Sequence, residues 1–253
     1  MKTIKTLSIL LVTITGTLIA NVQTTGTKPT IIFVHGIWAD GSCWASEITD
    51  LQAKGYPVIS VQNPVTSLAD DVAATKRAIA MASGNVILVG HSWGGFVITQ
   101  AGNDHKVVGL VYIAAFAPDS GETVLSLSAK VPANTLATYF VPQDGFMYLS
   151  KKGIETIFAQ DLMPKQQALI YATQVPASQS VFVDKSGEPA WKAKASWYIV
   201  AKNDGAISPD LERLMAKRMN AKTIELESSH VVMITHPKEV IALIEDAANA
   251  VLK

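Results

Sequence analysis

Residues 86–95 read VILVGHSWGG, and this stretch decides the predicted fold. Its first four residues form a continuous apolar run, which is typical of a strand covered on both faces. A helical pattern begins at Phe96, so Gly90–Gly94, of the form Gly-x-Ser-x-Gly, occupies a turn between a strand and a helix. Glycines on both sides allow so sharp a turn, and the turn raises the hydroxyl of Ser92 clear of the sheet edge. The stretch therefore predicts that Ser92 is a nucleophile.

Outward from this turn, short apolar runs alternate with amphipathic helical patterns. Strands are predicted at Ile31–Val34, Val58–Val61, Val86–Val89, Val107–Ala114, Trp197–Val200 and Thr223–Leu226. Helices are predicted over Trp44–Lys54, from Ser67 to Met81, from Phe96 to Ala101, from Ser208 to Met219, and from Pro237 onward. This alternation is typical of an α/β fold with a mainly parallel sheet of about six strands and helices on both faces.

One long segment, residues 119–190, interrupts the alternation between the fourth and fifth strands. It is rich in Pro, Gln, Ser and Thr and contains isolated apolar patches. Its position predicts a helical cap that is inserted between two strands and covers the mouth of the site. The alternative is a long excursion without a role in substrate binding.

Length and composition indicate one folded domain, residues 29–253, because 253 residues with 49% hydrophobic content suffice for one full-sized core. Basic and acidic residues number 21 each, so the chain gives no electrostatic reason to expect a nucleic-acid partner and favours a small, uncharged substrate. Cys43 is the only cysteine, and we interpret it as a small buried residue rather than a nucleophile. The sequence has no spacing typical of metal ligands, so neither a metal nor another cofactor is expected.

The N-terminal segment, residues 1–28, resembles an export signal followed by a polar tail. Lys2 and Lys5 precede a largely apolar run, Leu7–Ala20, which is shorter than the about 20 residues of a comfortable membrane span. We expect an exported protein, periplasmic or secreted, without stable membrane insertion once the signal is removed. An uncleaved N-terminal anchor is the alternative.

A nucleophilic serine requires a general base, and the chain offers five histidines. His230 follows the last predicted strand at the carboxyl edge of the sheet, where open α/β folds bind ligands, and is the favoured base. His236 precedes a proline at a helix start, His91 lies inside the turn beside Ser92, and His105 occupies a polar connection. His35, at the end of the first strand, is interpreted as a residue that organises the following loop.

The base in turn needs an acid that orients it. Asp204 lies just beyond the fifth strand and is favoured, whereas Asp119, just past the fourth strand, is its rival. Asp210 is better explained as a carboxylate that offsets the dipole of the helix beginning at Pro209.

Two backbone amides are predicted to stabilise a developing oxyanion. The amide of Trp93 follows the nucleophile at a helix N-terminus. Gly36 leaves room for the next amide, that of Ile37, to point into the site, and the amide of Trp38 is the less favoured second donor.

Four stretches together resemble the landmarks of the α/β-hydrolase superfamily: IFVHG at 32–36, VGHSWGG at 89–95, DGAISP at 204–209, and Ser229–His230. The chain is most similar to small bacterial members related to plant esterases and hydroxynitrile lyases. The resemblance implies a Ser92–Asp204–His230 triad, with oxyanion donors at Ile37 and Trp93. Only a short tail precedes Ile31, so we expect six core strands without the additional N-terminal strands of larger members.

The residues and the resemblance favour hydrolysis of a carboxylic ester through an acyl-enzyme. Carbon–carbon or cyanohydrin cleavage on the same triad is the second hypothesis, and a non-catalytic binding protein of this fold is the third. The sequence does not determine the substrate or the oligomeric state.

Overall fold

The computed structural model describes residues 27–251. The predicted export signal and the alternative membrane anchor fall on residues that lie almost entirely outside the described ones. Within residues 27–251, no helix has the length and apolar character that a bilayer crossing requires.

The core is a six-stranded sheet in which every neighbouring pair of strands is parallel. Its strands are β1 (Thr30–Val34), β2 (Val58–Val61), β3 (Val86–Ser92), β4 (Val107–Ala115), β8 (Ala195–Ala201) and β9 (Lys222–Leu226). Their spatial order is β2-β1-β3-β4-β8-β9. The predicted parallel sheet of about six strands is confirmed, and β3, which ends at Ser92, lies near its centre.

Five helices surround this sheet: α1 (Ala45–Ala53), α2 (Leu68–Met81), α3 (Trp93–Ala101), α7 (Pro209–Arg218) and α9 (Pro237–Val251), which follows a short helix, α8 (Val232–Thr235). α1 packs against α9, and α2 packs against α3. Since every residue of β3 is buried, these two pairs cover opposite faces of the sheet. The helices on both faces are therefore confirmed.

The region between β4 and β8 contains the predicted helices and also a small antiparallel sheet. The helices are α4 (Val124–Ser128), α5 (Lys151–Gly153), which continues into a π-helical turn over Ile154–Phe158, and α6 (Pro164–Thr173). The strands are β5 (Phe140–Gln143), β6 (Phe146–Leu149) and β7 (Ala177–Ser178), in the order β5-β6-β7.

The prediction of a helical cap did not include this small sheet. Asp144 and Gly145 connect β5 to β6 with φ values of 49° and 82°. Two successive residues with positive φ match the right-handed twist of paired strands, so Asp-Gly is a strong hairpin signal. That signal was present in the sequence and explains why the apolar patches on either side form strands.

The cap is attached to the core through the loop that precedes α2. The amide of Ser178 donates to the carbonyl of Val65 at 3.0 Å, and the hydroxyl of Ser180 donates to the carbonyl of Thr66 at 2.6 Å. The amide of Leu68 donates to a carboxylate oxygen of Asp184 at 2.8 Å. These bonds hold the cap over the carboxyl edge of the sheet.

Candidate active site

Ser92 occupies a strained turn between β3 and α3. Its φ of 55° and ψ of −122° are unusual for a residue with a side chain. A Cβ on Gly94 would lie 2.1 Å from the carbonyl oxygen of Val34, and one on Gly90 would lie 2.6 Å from that of Gly94. Only glycines at these two positions allow the helix to begin so close to the strands, which explains the predicted Gly-x-Ser-x-Gly geometry.

The loop after β1 runs directly beside the serine. A Cβ on Gly36 would lie 2.6 Å from that of Ser92, so a side chain there would displace the loop. The amide of Trp38 donates to the carbonyl of Val175 at 3.0 Å and is therefore occupied. Ile37 lines the same cavity as Ser92, and its amide remains the better candidate for an oxyanion donor.

His35 organises this loop. Its Nε2 accepts a hydrogen bond from the amide of Asn63 at 2.9 Å, so its Nδ1 carries the proton and donates to the carbonyl of Gly36. The side-chain amide of Asn63 donates back to the carbonyl of His35. Burial lowers the pKa of His35, which keeps the ring neutral and this tautomer in place.

Asp204 and His230 form a buried pair at the carboxyl edge of the sheet. The Nδ1 of His230 lies 2.5 Å from the Oδ2 of Asp204, and both side chains are almost completely buried. The other oxygen, Oδ1, accepts the amides of Ala206 and Ile207 at 2.6 and 2.9 Å. Since Nδ1 is engaged, Nε2 is the ring nitrogen available to a nucleophile, and His230 lines the same cavity as Ser92.

The rival acids and bases have other partners. Asp119 pairs with Lys192 at 2.8 Å, and Asp210 pairs with Arg213 at 3.0 Å on the exposed side of α7. The side chain of His105 is 90% exposed. The Nδ1 of His236 contacts the hydroxyl of Thr235, its neighbour in the chain, at 2.9 Å. The structure thus brings Ser92, Asp204 and His230 to one place and leaves the other candidates outside it.

His91, the neighbour of Ser92, supports the loop that carries His230. Its Nε2 lies 2.9 Å from the carbonyl oxygen of His230, and the centres of the two rings are 4.5 Å apart. Burial, followed by the proximity of His230, holds the pKa of His91 well below its ordinary value, so the neutral ring donates from Nε2. Sequence reasoning assigned no such role, because the contact joins residues 139 positions apart.

A buried carboxyl anchors Trp93, the residue that follows Ser92. The indole Nε1 of Trp93 donates to Oδ2 of Asp71 at 2.7 Å, and the amide of Val65 donates to Oδ1 at 2.9 Å. Burial raises the pKa of Asp71 to about 6 in spite of these two donors. Asp71 was not predicted either; its sequence position, in the first turn of α2, is equally typical of a carboxylate that offsets a helix dipole.

The cap contacts the loops that carry Asp204 and His230. Asp161 Oδ2 accepts the amide of Ser229 at 2.7 Å, and the side-chain amide of Gln160 donates to the carbonyl of Asn203 at 2.7 Å. The ring of Phe158 lies 5.0 Å from that of His230. The π-helical turn and the residues after it therefore support the loops that carry Asp204 and His230. Such turns frequently occur at functional sites.

Cap and core together enclose a cavity of about 490 Å³ that contains Ser92 and His230 in its wall. Its other polar lining residues are Ser128, Asn134 and Ser208, and no Asp, Glu, Lys or Arg of the described chain lines it. The volume lies within the roughly 300–1,000 Å³ of small-molecule sites. Among residues 27–251, no group of three or more potential metal-ligating side chains is placed to hold a metal ion.

The chain matches the sequence profile of the Alpha/beta hydrolase family over residues 31–243. It therefore belongs to this family, as the sequence landmarks indicated.

Several relatives of this chain are named esterases. Methylesterase 7 of Arabidopsis thaliana is 25% identical over 86% of this chain and 95% of its own length. A carbendazim hydrolyzing esterase of Nocardioides sp. is 28% identical over 44% of this chain and 51% of its own length. Both of these names describe ester cleavage by the proteins that carry them.

Solved structures support the fold. A pyrethroid hydrolase from Sphingobium faniae JZ-2 superposes with a TM-score of 0.75 at 23% identity, covering 88% of this chain and 98% of the other. The relation at this identity concerns the fold.

Proposed function

We propose that this hydrolase cleaves uncharged, lipophilic carboxylic esters through an acyl-enzyme on Ser92, with His230 as base and Asp204 as its orienting acid. The observation that carries the proposal is the buried His230–Asp204 pair, which leaves Nε2 free beside a cavity that Ser92 also lines. This arrangement has the chain order serine, acid, histidine of the fold.

In the first half of the reaction, His230 Nε2 takes the proton of Ser92 while Oγ attacks the ester carbonyl. Asp204 holds the ring in the Nδ1–H tautomer and stabilises the imidazolium that forms. The imidazolium then gives its proton to the leaving alkoxide, and the alcohol departs. In the second half, His230 activates a water molecule that releases the acid.

The negative charge that develops on the carbonyl oxygen needs fixed donors. The amides of Ile37 and Trp93 are the donors we propose, and the competing amide of Trp38 is occupied by Val175. Loss of one such donor typically lowers kcat by about 10²–10³. The contact between Trp93 and Asp71 fixes the start of α3 and with it the second amide.

The cavity supports the substrate class. An ionised acyl or alcohol group would lose its hydration without meeting an opposite charge, because the described wall carries none. The largely apolar wall favours apolar groups on the substrate instead. The names of the relatives, a methylesterase, a carbendazim hydrolyzing esterase and a pyrethroid hydrolase, agree with esters and related compounds as substrates.

The decisive experiment compares Ser92→Ala with Ser128→Ala, a second serine of the cavity wall. We expect Ser92→Ala to abolish both labelling by a fluorophosphonate and hydrolysis of short p-nitrophenyl esters, whereas Ser128→Ala retains both. Full activity of Ser92→Ala would contradict the proposal. Labelling of the wild type together with cyanide release from cyanohydrins, but no ester hydrolysis, would favour the lyase hypothesis.

We also propose that residues 1–28 direct export of the enzyme. Expression of the full chain in a bacterial host, followed by fractionation and mass determination of the N-terminus, tests this. A full-length chain retained in the cytoplasm would contradict it.

A further inference from the structure

Glu212 is a buried carboxyl next to the proposed triad. It lies in the first turn of α7, and its side chain is completely buried. Its Oε2 accepts the amide of Ala201 at 3.0 Å. Ala201 ends β8, three residues before Asp204, and the carboxyl of Asp204 lies within hydrogen-bonding reach of Glu212.

The two facing carboxyls need a proton between them. Within residues 27–251, no donor reaches Oε1 of Glu212. Arg213, the next residue of the helix, is turned outward to Glu225 and Asp210, and the hydroxyl of Tyr198 on β8 is directed to the carbonyl of Ala115. Two ionised carboxylates side by side without a compensating cation would repel strongly in this environment.

The proton belongs to Glu212 rather than to Asp204. Asp204 accepts two backbone amides and the ring of His230, and all three stabilise its ionised form. Glu212 accepts one amide. Burial, followed by the charge of Asp204, raises the pKa of Glu212 well above its ordinary value.

We infer that Glu212 is a positioning residue of this enzyme: as a neutral carboxylic acid it donates a hydrogen bond from Oε1 to the carboxylate of Asp204. The bond fixes the plane in which Asp204 accepts His230. It also withdraws negative charge from the oxygen that faces the imidazole. Because this role concerns the triad, the inference rests on the proposed function.

Few titratable or charged groups face Glu212, so the effect of a substitution there is simple to interpret. They are Asp204 in the loop after β8, Tyr198 on β8, and Arg213 on α7 itself. Glu212→Gln keeps a donor for Asp204 and an acceptor for Ala201. Glu212→Met has a similar volume but neither donates nor accepts.

The experiment measures two quantities for wild type, Glu212→Gln and Glu212→Met, with the fold checked by circular dichroism. The first is the rate at which a fluorophosphonate labels Ser92 across the pH range. The second is the pKa of His230, followed by NMR of the histidine ring, which needs no turnover. Failure of the wild type to label would contradict the proposed function, while the NMR titration would still test Glu212.

We expect Glu212→Gln to match the wild type in both quantities. Glu212→Met should label roughly tenfold more slowly, which corresponds to loss of one hydrogen bond to a charged group. Its His230 pKa should rise, because more of the negative charge of Asp204 then faces the imidazolium. Wild-type values in Glu212→Met would overturn the inference, as would a folded Glu212→Gln that labels slowly. If Glu212→Met does not fold, slow labelling of a folded Glu212→Gln still overturns the inference.

Discussion

The Nε2 of His91 lies 2.9 Å from the carbonyl oxygen of His230, so the residue beside the proposed nucleophile holds the backbone of the residue proposed as base. The contact joins the end of β3 to the loop after β9. It couples the position of Ser92 to that of His230, which matters because proton transfer depends on their separation.

Replacement of His91 by Ala should lower kcat by about tenfold, with a smaller change in KM, since one hydrogen bond that positions His230 is lost. Steady-state kinetics on a p-nitrophenyl ester would measure this. His105→Ala, at a side chain that is 90% exposed, is the matched control and should behave as wild type. Equal activity of the two variants would refute a positioning role for His91.

Replacement of Asp204 by Asn should lower kcat by roughly 10⁴-fold, because an amide at this position favours the wrong tautomer of His230. The fold should survive, since an amide oxygen still accepts the amides of Ala206 and Ile207. Asp119→Asn, at the rival acid, should leave kcat unchanged. The opposite pattern would transfer the role of the acid to Asp119.

Asp161 provides a test of the brace between the cap and the loop of the base. Asp161→Ala removes the acceptor of the Ser229 amide and should lower kcat about fivefold. Asp161→Asn keeps an acceptor and should restore most of the activity. Glu155→Ala, at a cap residue whose carboxylate faces Lys151, is the control and should have wild-type kinetics. Unchanged kinetics in Asp161→Ala would show that the cap does not support the base.

The buried carboxyl of Glu47 should make the stability of the folded protein depend on pH, independently of catalysis. Its side chain is completely buried, no other residue of the described chain donates a hydrogen bond to its carboxyl oxygens, and burial raises its pKa to about 8. Since the folded-state pKa exceeds the unfolded one, the contribution of this group to stability is complete below about pH 4.5 and is lost as the pH rises through 8.

Glu47→Gln should therefore remove this loss, which amounts to at most about 5 kcal/mol. Urea unfolding between pH 5 and 9 would measure it, with Glu239→Gln, at an exposed residue of the C-terminal helix, as control. A decline in stability that is equally steep in wild type and Glu47→Gln would disprove the assignment of this pH dependence to Glu47.

Much of the fold follows from local patterns. Continuous apolar runs predict buried parallel strands because both of their faces are covered, and β1, β3, β4 and β8 are such strands. β2 and β9, at the two edges of the sheet, also lie at the predicted places but are less buried. Ser67 was predicted to begin a helix, and its hydroxyl accepts the amide of Asp70 at 3.1 Å. The cap was predicted less completely, because the prediction passed over the Asp144–Gly145 turn that pairs β5 with β6.

The sequence by itself predicted the turn at Ser92, the chain order of a serine, an acid and a histidine, and the loop of Gly36, because each depends on residues adjacent in the chain and on their place at a strand end. Only the tertiary structure decided which carboxylate meets His230. It also revealed the contacts of four buried or bracing residues: His91, Asp71, Asp161 and Glu212. All of them except Glu212 have partners that are distant in sequence. A buried polar side chain is defined by the groups packed around it. That environment forms only when the sheet and cap assemble, so no local sequence pattern predicts it.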